Sequence, residues 1–425
     1  MTKAFSAPGK ALLAGGYLVL DPQYDAYVVA LSSRMYAVID SNGENLHLTK
    51  SKVIITSPQF QNGEWEYHFE KSADYKHPME TKKNGNPFLE ATLATILSYT
   101  QPNSYFDLKI TIFSDPGYHS QTNTSEKHSV NGKKTFLYHS QEINKVPKTG
   151  LGSSAGLVTV VTTALMSYFQ PGSEDSLDLI HNLAQVAHCK AQNKIGSGFD
   201  VAAAVYGSII YRRFQPLVVT DILDKLYADP HAAKLAIDGD WEFKHAKCAL
   251  PPSIRLMMGD IQGGSETPKM VSKVLQWRSE CPERAKEVYK LLNDANVGFT
   301  NVIGSLSQDS MNITKDQRRA ISEAIQRIRQ GLKELTAGAD VPVEPPIQTT
   351  LLDNVSQING CLGGVVPGAG GYDAVAVLVL AEYMDTIKES TKTSPELYNF
   401  VQWVDLHEEA EGLRKEDISD FNGLI

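Results

Sequence analysis

The feature that most constrains this chain runs from Thr149 to Ser173 without a single Asp, Glu, Lys or Arg, and it opens on Gly150-Leu151-Gly152-Ser153-Ser154-Ala155-Gly156. The continuous helical part, about 153–169, is shorter than the roughly 20 residues a membrane span needs and is rich in Ser, Thr and Gly, so it is predicted as a buried core helix. A helix start leaves backbone N–H groups unpaired and carries about half a positive charge. Glycines let such a start approach a phosphate closely and form an anion-binding nest. Ser153 and Ser154 can donate to phosphate oxygens or ligate Mg²⁺. A plain serine cap would need none of the three glycines.

Around this helix the pattern predicts two strands within 4–40, further strands near Val53–Thr56, Trp65–Phe69 and Leu108–Phe113, and a helix from Pro87 to about Thr100 capped by Asn86. Residues 115–135 read as a polar loop, 176–193 as a helix and Gly207–Phe214 as a strand. The segment 215–250 has no strong period and marks a soft boundary. Beyond it come a strand at Ile254–Asp260, amphipathic helices at about 267–279, 284–306 and 315–336, another at 347–358, and two strands, Cys361–Val366 and Ala374–Leu380. Strands and helices mix without regular βαβ alternation, which predicts an α+β protein. At 425 residues two domains are expected, divided here as 1–225 and 226–425.

Composition excludes several classes. Asp and Glu number 49 against 40 Lys and Arg, a net charge of −9, which argues against a general nucleic-acid binder while leaving room for a local basic pocket. Four cysteines without a CxxC pair make no disulfide framework and suit a reducing, cytoplasmic setting. The apolar N-terminal run is broken by Pro8-Gly9 and Lys10, a poor secretion signal, and no membrane association is expected.

Three more motifs carry chemistry. Lys10, in Ala7-Pro8-Gly9-Lys10, stands between two strand-like runs where pattern favours apolar residues, so its ammonium needs a partner or a ligand. Asp200 follows Gly196-Ser197-Gly198-Phe199 and precedes the apolar Val201–Val205. It reads either as a helix cap or as a working carboxylate. Pro367-Gly368-Ala369-Gly370-Gly371-Tyr372-Asp373 lies between two apolar strands, as a tight turn or a second backbone cradle. Gly150–Ala155 also fits a dinucleotide fingerprint, but that needs an apolar strand directly before it, and Glu142–Thr149 carries a proline and lysines. Gly9-Lys10 is not a Walker A loop, and no HRD or DFG triplet marks a protein kinase.

Taken in order, Pro8-Gly9-Lys10, Gly150–Ala155 and Gly368–Gly371 resemble the three motifs of the superfamily of galactokinase, homoserine kinase, mevalonate kinase and phosphomevalonate kinase, the GHMP kinases. Longer stretches, AFSAPGKALLAGGYLVL, VPKTGLGSSAGLVTVVTTAL, HNLAQVAHCKAQNKIGSGFDVAAAVYGSI, EPPIQTTLLD and PGAGGYDAVAV, resemble the fungal-type phosphomevalonate kinase branch, over about residues 4–405. The resemblance implies a ribosomal-S5-like N-terminal domain, a ferredoxin-like C-terminal domain and a site in the cleft between them. It implies transfer from ATP, as co-substrate, to 5-phosphomevalonate, giving 5-diphosphomevalonate and ADP in the mevalonate route to isoprenoids and sterols, with Mg²⁺ as cofactor. Mevalonate kinase, or a non-catalytic metabolite sensor on the same fold, are the alternatives.

By match to the motifs, Gly150, Leu151, Gly152, Ser153, Ser154, Ala155 and Gly156 hold the ATP phosphates and Ser154 faces Mg²⁺. Lys10 and Asp200 are the implied catalytic pair, and Gly370, Gly371 and Tyr372 close over substrate. A phosphate nucleophile is mostly deprotonated at pH 7, so Asp200 is expected chiefly to orient rather than to abstract a proton. Position within or beside the motifs adds Lys148 toward ATP and Lys10, Lys194 and Arg212 toward the substrate; Tyr17, Ser120, Gln121 and Ser197 are further substrate candidates. Mevalonate kinases place a metal-holding glutamate eleven residues before the motif aspartate; here that position is Cys189, which leaves the acidic ligand open. His181 and His188, about 10.5 Å apart on one predicted helix, are expected to pack rather than share a metal.

Overall fold

The computed structural model describes residues 2–41, 50–70, 75–82, 84–261, 267–306, 312–404 and 406–425. Its large sheet is centred on the paired strands Thr2–Ala14 and Ala26–Ser41. From Ala26–Ser41 the sheet runs one way to Ile209–Arg212 and Lys244–Lys247, and the other way to Asp107–Ser114, Ser51–Thr56, Glu64–Phe69 and Met79–Glu80. Ser51–Thr56 and Asp107–Ser114 pair in parallel. The Pro87–Thr100 helix lies on the connection between them, its first turn capped by Asn86 Oδ1 accepting from the Leu89 N–H. The uncharged Ser153–Phe169 helix packs on the two central strands, flanked by the helices Pro87–Thr100, Leu177–Gln192 and Phe199–Tyr206. Val158, Val161, Ala164 and Leu165 have no exposed surface, so this helix is surrounded by protein and has no use for a charged face.

A second, antiparallel sheet is ordered Cys361–Val365, Ala374–Leu380, Ile254–Ile261, Val401–Val404. The Lys315–Ala339 helix packs on it through an i, i+4, i+7 stripe that buries Ile321, Ile325 and Ile328 and continues to Leu332 and Leu335. Its start is a capping box in which Thr314 and Gln317 satisfy each other's backbone N–H groups.

Three expectations change. The loop expected at 115–135 contains a strand, Thr124–His128, that forms a hairpin with Thr135–His139. The weakly patterned 215–250 segment forms the short helices Pro216–Lys225 and Pro230–Asp238, each opened by a proline at its first position, and then the strand Lys244–Lys247. The sheets also do not divide at 225/226. Lys244–Lys247 pairs within the large sheet, and the chain returns to it at Glu408–Glu409 and Arg414–Glu416. Fully buried Arg34 ties that return down, bonding to Glu409, to the Gly412 carbonyl and to Ser6. Long-range pairing of this kind leaves no periodic signal in the sequence that forms it.

Candidate active site

The site starts at an irregularity in the first strand. Its pairing with Ala26–Ser41 slips between Pro8 and Gly9, where proline has no N–H to give the ladder. Just past the slip the Lys10 N–H donates to the Leu151 carbonyl at 3.1 Å, and Lys10 Nζ donates to the Gly150 carbonyl at 2.9 Å. Strand and glycine loop are thus joined by main chain and side chain at one residue. Gly152 lies in the left-handed region at φ 84°, and a Cβ there would come to 3.0 Å of Lys10 Cε. Glycine is therefore needed twice over, for its conformation and for the close approach of the lysine. Desolvation draws the Lys10 ammonium below the usual lysine value, against the pull of Asp200 and Asp373.

Two helices begin at this point. Ser153–Phe169 and Phe199–Tyr206 are both capped by left-handed glycines, Gly152 and Gly198, and neither cap uses a side chain. The first in-helix bond of the longer helix is made by the Gly156 N–H, so the amides of Ser153, Ser154 and Ala155 have no in-helix acceptor. Asp200 sits in the first turn of the shorter helix, past its glycine cap, not at the cap itself. Beneath that turn, buried Arg213 donates to the carbonyls of Leu20 (2.7 Å) and Gly196 (2.6 Å), and Tyr211 Oη donates to the Ser197 carbonyl.

The glycine loop separates two cavities. One, of about 410 Å³, is lined by Lys10, Tyr17, Lys194, Ser197 and Asp200 from the large-sheet side and by Gly368, Gly370 and Asp373 from the small-sheet side. Tyr17 Oη bridges the sides, donating to the Ala369 carbonyl at 2.9 Å. The other, of about 260 Å³, is lined by Phe60, Trp65, Phe88 and Leu157, with Lys148, Ser153 and Ser154 at the loop. Here Phe60 stacks on His139 and meets His119 edge-on. Burial and the Lys148 charge push His119 down to about 3, which keeps it neutral. A larger cavity, about 1060 Å³, lies elsewhere against Tyr206, His245 and Ala410–Arg414 and includes no residue of the glycine loop.

The sequence candidates divide accordingly. Lys10, Tyr17, Gly150, Gly152, Lys194, Ser197, Asp200 and Gly370 line the larger of the two flanking cavities, and Lys148, Ser153 and Ser154 the smaller. Leu151, Ala155 and Gly156 are packed inside, contributing main chain rather than side chain. Ser120, Gln121, Gly371 and Tyr372 lie outside the lining of both. Arg212 lines neither cavity: its side chain donates to Asp25 at 2.7 Å, a half-buried pair that Lys244 also joins. The next residue, Arg213, just past the strand, is the one that turns inward.

Two residues that line or reach the site were not foreseen as participants. Asp373 ends the glycine turn at the head of an apolar strand, and an acid in that place was the available signal. His188, expected to pack, brings its Nε2 to 3.1 Å of Ser154 Oγ and 3.9 Å of Asp200 Oδ2. Cys189 is buried, and that burial raises its thiol to about 11, so it offers no thiolate to a metal.

Oxygen donors suit Mg²⁺, and Ser154 and Asp200 supply two kinds, a hydroxyl and a carboxylate, on the helix starts that meet the loop. Among the described residues no group of three or more His, Cys, Asp or Glu could hold a metal by itself. The donor set therefore fits an ion that arrives already bound to phosphate oxygens.

Residues 126–208 match the model of the GHMP kinases N terminal domain. Over the full length of both proteins the chain is 54% identical to a phosphomevalonate kinase of Candida albicans. It is 35% identical to that of Aspergillus fumigatus, over 88% of this chain and 87% of the relative. Among solved structures, Streptococcus pneumoniae phosphomevalonate kinase in complex with phosphomevalonate and AMPPNP superimposes with a TM-score of 0.63 at 17% identity, covering 96% of this chain and 99% of the other. The Methanococcus jannaschii mevalonate kinase gives 0.60 at 15%, over 96% and 99%. Those two likenesses speak for the two-domain α+β fold; the curated relatives decide the branch. The chain belongs to the phosphomevalonate kinase family of the GHMP kinases.

Proposed function

We propose that this chain transfers the γ-phosphoryl group of ATP to the phosphate of 5-phosphomevalonate, releasing ADP and 5-diphosphomevalonate. The observation that carries the reading is the meeting of Lys10 with a glycine loop whose three following amides lack helical acceptors, between a cavity walled in part by Phe60, Trp65 and Phe88 and one that carries Lys10, Lys194, Asp200 and Asp373. The aromatic cavity suits the flat base of the nucleotide and the charged cavity suits the phosphorylated acceptor. In-line transfer then runs across the loop that separates them.

Phosphoryl transfer needs positioning and neutralisation of charge more than covalent help from the protein. The Ser153–Ala155 amides and the helix start hold the nucleotide's phosphate oxygens. Lys10 reaches the same point from the first strand and meets the oxygens in transit. Lys194 extends the positive field on the acceptor side and Lys148 on the nucleotide side. The acceptor is a phosphate monoester with a second pKa near 6, so its attacking oxygen is largely ionised at neutral pH. Asp200 accordingly orients Lys10 and the acceptor. Ser154 and Asp200 would hold a Mg²⁺ ion brought in with the nucleotide, which would supply further charge neutralisation when bound.

The reaction takes place in the cytoplasm on this reading; no helix among the described residues is long and apolar enough to cross a membrane. The test is ADP release by the purified chain with ATP and Mg²⁺, given mevalonate or 5-phosphomevalonate in turn. Turnover of the phosphorylated acceptor alone is expected. Turnover of mevalonate alone would make the chain a mevalonate kinase, and tight ligand binding without turnover would make it a sensor.

A further inference from the structure

Arg213 follows the strand Ile209–Arg212 and is 5% exposed, its guanidinium carbon 5.6 Å from the centre of the Phe214 ring. One arm of the guanidinium donates to the Leu20 carbonyl at 2.7 Å and the other to the Gly196 carbonyl at 2.6 Å. Leu20 and Gly196 both line the larger of the two cavities beside the glycine loop. The guanidinium therefore lies directly behind that lining, pinned from two separate stretches of chain. Carbonyls satisfy its protons but leave its charge uncancelled. No carboxylate among the described residues pairs with it. Asp21, which acts on it through space, is bound to Arg278 at 2.7 Å, and Asp25 is taken by Arg212 at 2.7 Å. Its buried Nε–H has no acceptor among the described residues. Burying a guanidinium without a counter-ion is costly, and arginine cannot shed its proton to escape the cost.

The lining in front of it is electrically balanced. Among the described residues its charged side chains are Lys10 and Lys194 against Asp200 and Asp373. 5-Phosphomevalonate brings a carboxylate and a phosphate, about three negative charges at pH 7.5. A balanced lining offers such a molecule no net attraction. We propose that Arg213 makes this cavity recognise a polyanion: its unpaired charge, held behind the lining, turns a neutral site into a positive one and gains a counter-ion when the acceptor binds. This rests on the reading of the larger cavity as the acceptor site of a kinase. Arg213 touches no acceptor atom on this account. It acts through the field it sets up across one layer of main chain, where water screens little of it.

The experiment is calorimetry of 5-phosphomevalonate and, separately, of Mg²⁺–AMPPNP at pH 7.5, on wild type, Arg213→Met, Asp373→Asn and the double variant. Arg213→Met keeps an apolar stem and removes the charge. It should weaken phosphomevalonate binding by about tenfold and change AMPPNP binding by less than about twofold. Asp373→Asn alone adds one positive charge to the balance and should tighten phosphomevalonate binding by about threefold. The double variant carries the same net charge as wild type and should return to within about threefold of it. A role for Arg213 in holding the two carbonyls alone would not be rescued from Asp373. Arg213→Met with wild-type acceptor affinity, an equal loss for both ligands, or a double variant as poor as Arg213→Met would overturn the proposal. If Arg213→Met fails to fold, Asp373→Asn decides by itself, and acceptor binding that is unchanged or weaker overturns the proposal. Turnover of 5-phosphomevalonate by the same wild-type preparation checks the kinase reading independently. A chain that turns it over but shows no charge compensation keeps that reading and loses only the role of Arg213.

Discussion

The two cavities on either side of the glycine loop are built from different materials. The smaller is walled by Phe60, Trp65, Phe88 and Leu157, all within the large-sheet part of the molecule. The larger carries Lys10, Lys194, Asp200 and Asp373, and its far side is formed by the small-sheet part of the molecule, including Met258, Gly368–Gly370 and Asp373. An aromatic pocket inside one body suits a flat base that binds the same way each time. A charged cleft between two sheets suits a polyanion that must be gripped, reacted and released. The loop between them belongs to both sides, which is why its amides and Lys10 meet there. The lysines that line the two cavities, Lys10, Lys194 and Lys148, bring local positive charge to two polyanions on a net-acidic protein.

Substitutions at the junction should have the largest effects, because they act on both cavities together. Lys10→Met should lower kcat by about 10³-fold with a much smaller change in the KM of either substrate. Initial-rate kinetics checks this, and a wild-type kcat would remove Lys10 from the reaction. Gly152→Ala comes next. The strained backbone and a Cβ 3.0 Å from Lys10 Cε should displace the lysine and cost about 10²-fold in kcat/KM. A normal rate would show that the close approach has no catalytic consequence.

The two outer lysines sharpen the comparison most cleanly. Lys148→Met should raise the KM for ATP about fivefold and leave that for phosphomevalonate alone, while Lys194→Met should do the reverse. If both variants raised the same KM, the assignment of one cavity to each substrate would fall. Arg212→Ala should change either KM by less than about twofold, since the side chain pairs with Asp25 outside both cavities. A large rise in the phosphomevalonate KM would restore it to the site.

What could be read from the sequence follows from how local each determinant is. The helix after Gly152 was legible because its glycines and its uncharged run are adjacent in the chain, and the Asn86-Pro87 helix start because a cap and its helix are neighbours. The meeting of Lys10 with the glycine loop needed a resemblance to known motifs, since about 140 residues intervene. The return of Arg414–Glu416 to the first strand, and the turn of His188 toward Ser154, depend on tertiary register that no short pattern records. The two adjacent arginines show the same limit at the smallest scale: Arg212 pairs with Asp25 outside both cavities while Arg213 is buried beneath the Asp200 turn, and nothing in the local pattern tells them apart.

The central claim is that the unpaired amides at the start of the Ser153–Phe169 helix grip nucleotide phosphates. Amide hydrogen exchange resolved to single residues, with and without Mg²⁺–AMPPNP, measures this directly. Slowed exchange at Ser153, Ser154 and Ala155, with the amides of Asp25 and Lys244 unchanged, is the predicted result. Protection elsewhere with those three amides exchanging as fast as in the free protein would contradict the account.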